Sequence, residues 1–142
     1  MTFIKLKNIA LAIIGAVGSA VSALFGGWNA AIGTLLIFMA VDYITGVIVA
    51  GVFHRSSKTV TGALESRAGW KGLLRKGVTL LVVLVAARLD ILLKTAFVRD
   101  GVVVAYIANE TLSIIENAGL MGIPVPEPVK NAIEALKGGA QK

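Results

Sequence analysis

Cysteine is absent from the chain, and histidine occurs once, at His54. Without cysteine there is no disulfide, no thiolate nucleophile and no cysteine-ligated metal. One imidazole cannot build a histidine-based metal site. Charge is scarce too: 15% of the 142 residues are Asp, Glu, Lys or Arg, against about 25% in a soluble domain. The chain therefore lacks the charge to cover a water-facing surface. Acids are the rarer sign, 8 against 14 Lys and Arg, for a net charge of +6. The three prolines, Pro124, Pro126 and Pro128, stand together, so nothing upstream carries the residue that most strongly breaks a helix. These absences exclude an ordinary cytosolic enzyme and a disordered tail. They leave no Ser/His/Asp set, phosphate loop or metal cluster, so neither enzymatic activity nor a cofactor is expected.

What is present is apolar: 56% of residues are hydrophobic and the mean hydropathy is +0.84. Four apolar stretches cover residues 9–25, 30–53, 77–97 and 102–123. The first, at about 1.5 Å per residue, reaches roughly 25 Å, and the second is long enough to span a bilayer with tilt. The expected fold is an all-α integral membrane protein of helical hairpins with four membrane segments. Residues 1–123 form the membrane domain, with a basic loop at 54–76, and residues 124–142 a cytoplasmic tail. Gly26-Gly27-Trp28-Asn29 and Arg99-Asp100-Gly101 read as turns. The tail reads as a short amphipathic helix to about Lys137, with Val129, Ile133 and Leu136 on one face and Gly138-Gly139 ending it. Lys5, Lys7, the apolar run and Ala20-Val21-Ser22 also have the make-up of a secretory signal. A closely spaced helical hairpin explains the same pattern.

Charge placement gives an orientation. The loop holds Arg55, Lys58, Arg67, Lys71, Arg75 and Lys76 against Glu65 alone. If it is cytoplasmic, so are Lys5, Lys7, Lys130, Lys137 and Lys142, which puts 11 of 14 basic residues inside. Both termini are then cytoplasmic, as the positive-inside rule requires. The loop is a topology determinant that can also attract anionic headgroups. It has no aromatic interleaving beyond Trp70, so nucleic acid is not an expected partner.

Gly15, Ser19, Ala23 and Gly27 recur every four residues, a small-xxx-small ridge that lets helices approach closely in lipid. Packing within one chain and packing between copies both demand that spacing. Asp42, midway along the second stretch, needs a partner, a proton or water at membrane depth. In the third stretch Asp90 and Lys94 are four apart and expected to pair. Arg88 faces away from them, and the acids of the fourth stretch are its candidate partners. There Asn109, Ser113, Glu116 and Asn117 form a polar stripe, edged by Glu110. The expectation is one compensated cluster of Asp42, Arg88 and Glu110.

Three segments together carry a resemblance: Asp42-Tyr43-Ile44-Thr45-Gly46; Ser66-Arg67-Ala68-Gly69-Trp70-Lys71-Gly72-Leu73-Leu74-Arg75-Lys76; and Ala108-Asn109-Glu110, then Ser113-Ile114-Ile115-Glu116-Asn117, then Pro124-Val125-Pro126-Glu127. Over roughly residues 30–137 the chain resembles the phage holin family that includes the toxin-secretion holins of clostridia. The resemblance implies a small protein of the bacterial cytoplasmic membrane that oligomerises into lesions. Those lesions release an endolysin, lysing the host, or export a toxin. The implied partners are further copies of the chain, the lipid bilayer and an antiholin. Two other readings fit a small membrane protein: an ion-coupled transporter using Asp42 and Glu110, and a regulatory protein of the antiholin type.

Overall fold

Helices begin and end where the local chemistry directs. In the computed structural model, which describes residues 2–140, α1 spans Phe3–Leu24, α2 Ala30–Gly51, α3 Ser66–Leu93, α4 Val98–Leu120 and α5 Glu127–Ala140. Lys142, counted above among the inner basic residues, lies outside the described residues. The fold is all-helical, with no strand among the described residues. α1 ends at Gly26 and Gly27, whose φ angles of 77° and 91° are accessible to glycine at little cost. The Gly27 N–H donates back to the Ser22 carbonyl at 2.7 Å, closing the helix end. α2 starts at Asn29, whose side chain accepts the Ile32 N–H at 2.9 Å, a helix N-cap.

Several sequence expectations need correction. Two helices of the described residues, α1 and α2, are long and apolar enough to cross a membrane, not four. α3 and α4 carry more charge along their length. The basic stretch 54–76 is a loop only as far as Glu65; Ser66 onwards is the first part of α3. Arg99-Asp100-Gly101 is not a turn but the opening of α4, and the reversal lies just before it, after Lys94 takes a left-handed conformation at φ 55°. Gly138-Gly139 does not stop the last helix, which runs to Ala140.

α2, α3 and α4 form the bundle, each presenting one stripe at spacings of three and four. On α2 the buried row is Ile32, Leu35, Met39, Asp42 and Val49. On α3 Gly69, Gly72, Lys76, Thr79, Val83, Ala86 and Asp90 are all turned inward. On α4 the row is Val103, Ile107, Glu110 and Asn117. This periodicity is that of helices packed nearly side by side. Ile32, Leu35, Met39, Val83, Val103 and Ile107 make one apolar cluster. It fills the half of the bundle nearer the α1–α2 and α3–α4 connections; the buried polar residues Asp42, Glu110 and Asn117 lie in the other half, with Val49 and Ala50. α4 sits between α2, α3 and α5. α5 folds back along α4 rather than extending as a free tail: Ile133 is buried and Leu136 reaches the apolar cluster. Its outer face carries Glu127, Lys130 and Glu134. α1 differs from all the others. It has no buried residue and touches only α3 among the helices.

Residues 54–65 close into a compact turn. The Ser56 N–H donates to the Gly62 carbonyl at 3.0 Å, and the Thr59 hydroxyl donates to the Ala63 carbonyl at 2.8 Å. Gly62 has φ 77°, and a Cβ there would fall on the His54 carbonyl oxygen. Gly62→Ala is therefore expected to destabilise this turn by about 1–3 kcal/mol, the range for a non-glycine residue held in such a conformation. Gly72→Ala, where a Cβ meets nothing within 4 Å, should be nearly silent. Limited proteolysis at 54–65, compared between the two variants, checks this.

Candidate functional site

The polar half of the bundle is organised around one ammonium. Lys76 Nζ on α3 donates to Asp42 Oδ2 on α2 at 2.7 Å and to Glu110 Oε2 on α4 at 2.6 Å. The Asp42 and Glu110 side chains are 6% and 9% exposed and that of Lys76 is 16% exposed, so the three charges are largely withdrawn from solvent. Asp42 Oδ1 takes a further hydrogen bond from Asn117 Nδ2 at 3.1 Å. The same amide donates to the Asp42 carbonyl at 3.2 Å and to Thr45 Oγ1 at 2.8 Å. Gly46 leaves room for it: a Cβ there would lie 3.8 Å from that amide nitrogen. At about 1.5 Å per residue, Asp42 lies about 18 Å along α2 from Ala30, and Glu110 about 18 Å along α4 from Val98. The cluster thus ties all three bundle helices together at one level. No buried side-chain nitrogen or oxygen among the described residues lacks a partner, as a polar network inside an apolar bundle requires.

Above this cluster opens a cavity of about 430 Å³ between α2, α3, α4 and the 54–65 turn. Asp42, Lys76 and Glu110 line it together with Asn109 and Ser113, and Lys58, Lys71 and Arg75 stand with Glu65 around it. It is half open, so water reaches the polar cluster from the side of the basic turn. The apolar cluster closes the opposite side.

A second network pins the far end. Asp90 accepts the Thr95 hydroxyl at 2.6 Å and the backbone N–H groups of Val98 at 3.1 Å and Arg99 at 2.8 Å. It thereby satisfies otherwise orphaned N–H groups at the start of α4. Arg99 Nη1 donates to the carbonyls of Phe25 at 2.7 Å and Gly27 at 2.9 Å, clamping the α1–α2 turn to the α3–α4 turn.

The sequence profile of the bacteriophage holin family matches residues 19–138. The chain belongs to that family. It is 34% identical over 104 residues to a probable holin of Bacillus phage phi105, covering 72% of this chain and 71% of that protein. An uncharacterized protein of Halalkalibacterium halodurans is 40% identical over 130 residues, covering 87% of this chain and 90% of its own. An uncharacterized 14.9 kDa protein from the nagH 3' region of Clostridium perfringens is 38% identical over 125 residues, at 87% and 89% coverage. No solved structure matches the fold.

Within this holin-family chain the expected cluster of Asp42, Arg88 and Glu110 is corrected at one position: the cation is Lys76. Arg88 is exposed on the outer face of α3 and forms no ion pair among the described residues. Lys76 lies ten residues into α3, about 15 Å from its start, on the inward row with Gly72 and Thr79. The Asp90–Lys94 pair does not form either. Lys94 leaves the helix in its left-handed conformation, and Asp90 spends its oxygens on the start of α4. Glu116 is exposed and Asn109 faces the cavity mouth, while Asn117, the buried member of the stripe, holds Asp42. Of the basic residues read as topology determinants, Lys58, Lys71 and Arg75 border the cavity, and Arg55 and Arg67 are exposed and do not line it. Gly15, Ser19 and Ala23 are exposed on α1, whereas Gly27 belongs to the clamped turn. Arg99 carried no sequence expectation beyond its place in a turn, and its clamp rests on a distant backbone that local spacing does not reveal.

Proposed function

We propose that the chain is a holin-type permeabiliser without enzymatic activity. It resides in the bacterial cytoplasmic membrane with its N-terminus and the 54–65 turn inside and assembles with copies of itself into lesions. Through them an endolysin reaches the cell wall, or a toxin leaves the cell. The observation that carries this reading is the two-sidedness of the fold. Beyond Lys5, Lys7 and Asn8, α1 offers an uncharged, unburied helix on the α3 flank, suited to lipid and to neighbouring copies. α5 coats the α4 flank with charge, a surface suited to water. A lesion needs both surfaces on one subunit. α3 and α4 complete four membrane segments in this arrangement, with the charges of Asp42, Lys76 and Glu110 compensated inside the bundle as an apolar surrounding demands. The 54–65 turn with its basic rim then lies at the inner surface, where anionic headgroups attract it. An antiholin would act by occupying the face of α1.

Inducible expression in a bacterial host, alone and with a cell-wall hydrolase lacking an export signal, tests the proposal. Expected are an abrupt loss of membrane potential and lysis that requires the hydrolase. Reporter insertions should place the 54–65 turn inside and the 94–97 connection outside. Unbroken membrane potential at full membrane accumulation would overturn the permeabiliser reading, and a cytoplasmic reporter at 94–97 the four-segment topology.

A further inference from the structure

The cavity beside Lys58, Lys71 and Arg75 has a chemistry that the buried ion cluster does not use. Lys76 is paired with Asp42 and Glu110. Lys58, Lys71 and Arg75, by contrast, make no ion pair among the described residues, and Glu65 is the one further acid lining the space. Ser56 and Thr59 add hydroxyls at the same opening. Three uncommitted cations converging on a half-open cavity of about 430 Å³ are matched to an anion with several oxygens, such as a phosphate group.

The surroundings say which phosphate. At about 100° per residue, Trp70, Leu73 and Leu74 share one face of α3, Gly69, Gly72 and Lys76 the inward face, and Lys71 and Arg75 the boundary between them. Trp70 is 64% exposed and Leu74 63%, with nothing in the fold to cover them. A free phosphate would meet the basic rim alone. A phospholipid would place its phosphate between Lys71, Arg75 and Lys58 and lay its acyl chains along Trp70 and Leu74. We propose that this cavity is a headgroup site for an anionic phospholipid of the inner leaflet, which fastens the start of α3 to the 54–65 turn. The site rests on the membrane topology proposed above, but not on lesion formation.

Trp70 is a built-in reporter. The full-length chain carrying Trp28→Phe, reconstituted in phosphatidylcholine bilayers, is compared with equal small fractions of spin-labelled phosphatidylglycerol or spin-labelled phosphatidylcholine. Trp70 fluorescence should be quenched several-fold more by the phosphatidylglycerol. Lys58→Gln/Lys71→Gln/Arg75→Gln should abolish that preference, and Arg55→Gln/Arg67→Gln, which removes basic charge outside the cavity, should retain it. Helical content is measured by circular dichroism on the same samples. If the triple variant loses it, the single substitutions Lys71→Gln and Arg75→Gln must each reduce the preference. Equal loss in the Arg55/Arg67 variant would reduce the site to general surface attraction and overturn it. So would displacement of the labelled lipid by millimolar inorganic phosphate, which would make the ligand a free anion. Dye leakage from the same vesicles is recorded separately. Leakage without lipid preference overturns the headgroup site alone, and preference without leakage overturns the permeabiliser alone.

Discussion

Lys76→Met should be among the most damaging single substitutions in the bundle. It leaves Asp42 and Glu110 facing each other at depth with no cation between them. Removing one partner of a buried ion pair costs about 3–5 kcal/mol, and here two carboxylates are stranded at once. The expected outcome is a sharp fall in folded protein recovered from membranes, with loss of permeabilisation. Glu110→Gln should be mild by comparison, because Asp42 and Lys76 remain as a one-to-one pair. The triple variant Asp42→Asn/Lys76→Met/Glu110→Gln should recover much of the folded yield, since no charge is then left to compensate. Arg88→Leu, on the exposed face of α3, should change stability by no more than about 0.5 kcal/mol, as surface substitutions do. Thermal unfolding in detergent across this set decides the matter. A triple variant as unstable as Lys76→Met, or an Arg88→Leu variant as damaged, would show that Lys76 does not organise the bundle.

The need for that cation was legible in the sequence; its identity was not. Asp42 and Glu110 stand within apolar runs, and the desolvation cost of an isolated charge requires a partner for them whatever the fold. The partner was misplaced because hydropathy starts the third segment at Gly77, where the apolar run begins. The helix itself starts eleven residues earlier, at Ser66. The signal lay in the spacing of Gly69, Gly72, Lys76, Thr79, Val83, Ala86 and Asp90, an inward row of threes and fours that continues the helix straight through the basic stretch. Asp90 and Lys94 are spaced for a helical ion pair, but that rule applies only inside a helix, and Lys94 lies past its end. An aspartate that caps the next helix eight and nine residues ahead has no local signature. The packing of α5 onto α4 was half legible: the row Val129, Ile133 and Leu136 announces an apolar face. What it covers depends on the prolines at 124, 126 and 128 turning the chain back along α4 rather than away from it.

Gly15→Leu/Ser19→Leu should separate assembly from folding in a way the Lys76 series cannot. A Cβ at Gly15 meets nothing within 4 Å, Ser19 is exposed, and no residue of α1 is buried. Two leucines there should leave the stability of the subunit within about 0.5 kcal/mol of its original value. They nevertheless fill the ridge by which small residues let helix backbones approach in lipid. The expected result is unchanged membrane accumulation and unfolding, a several-fold drop in cross-linked oligomers and a long delay or failure of lysis. Val17→Leu, about 200° around the helix from Gly15, adds bulk on the opposite face and should leave both readouts alone. If the double variant cross-links and lyses on schedule, α1 associates through another face or not at all, and the ridge is ordinary lipid-facing surface. If it fails to accumulate, α1 packs within its own subunit in the membrane, and its small residues serve the fold rather than the assembly.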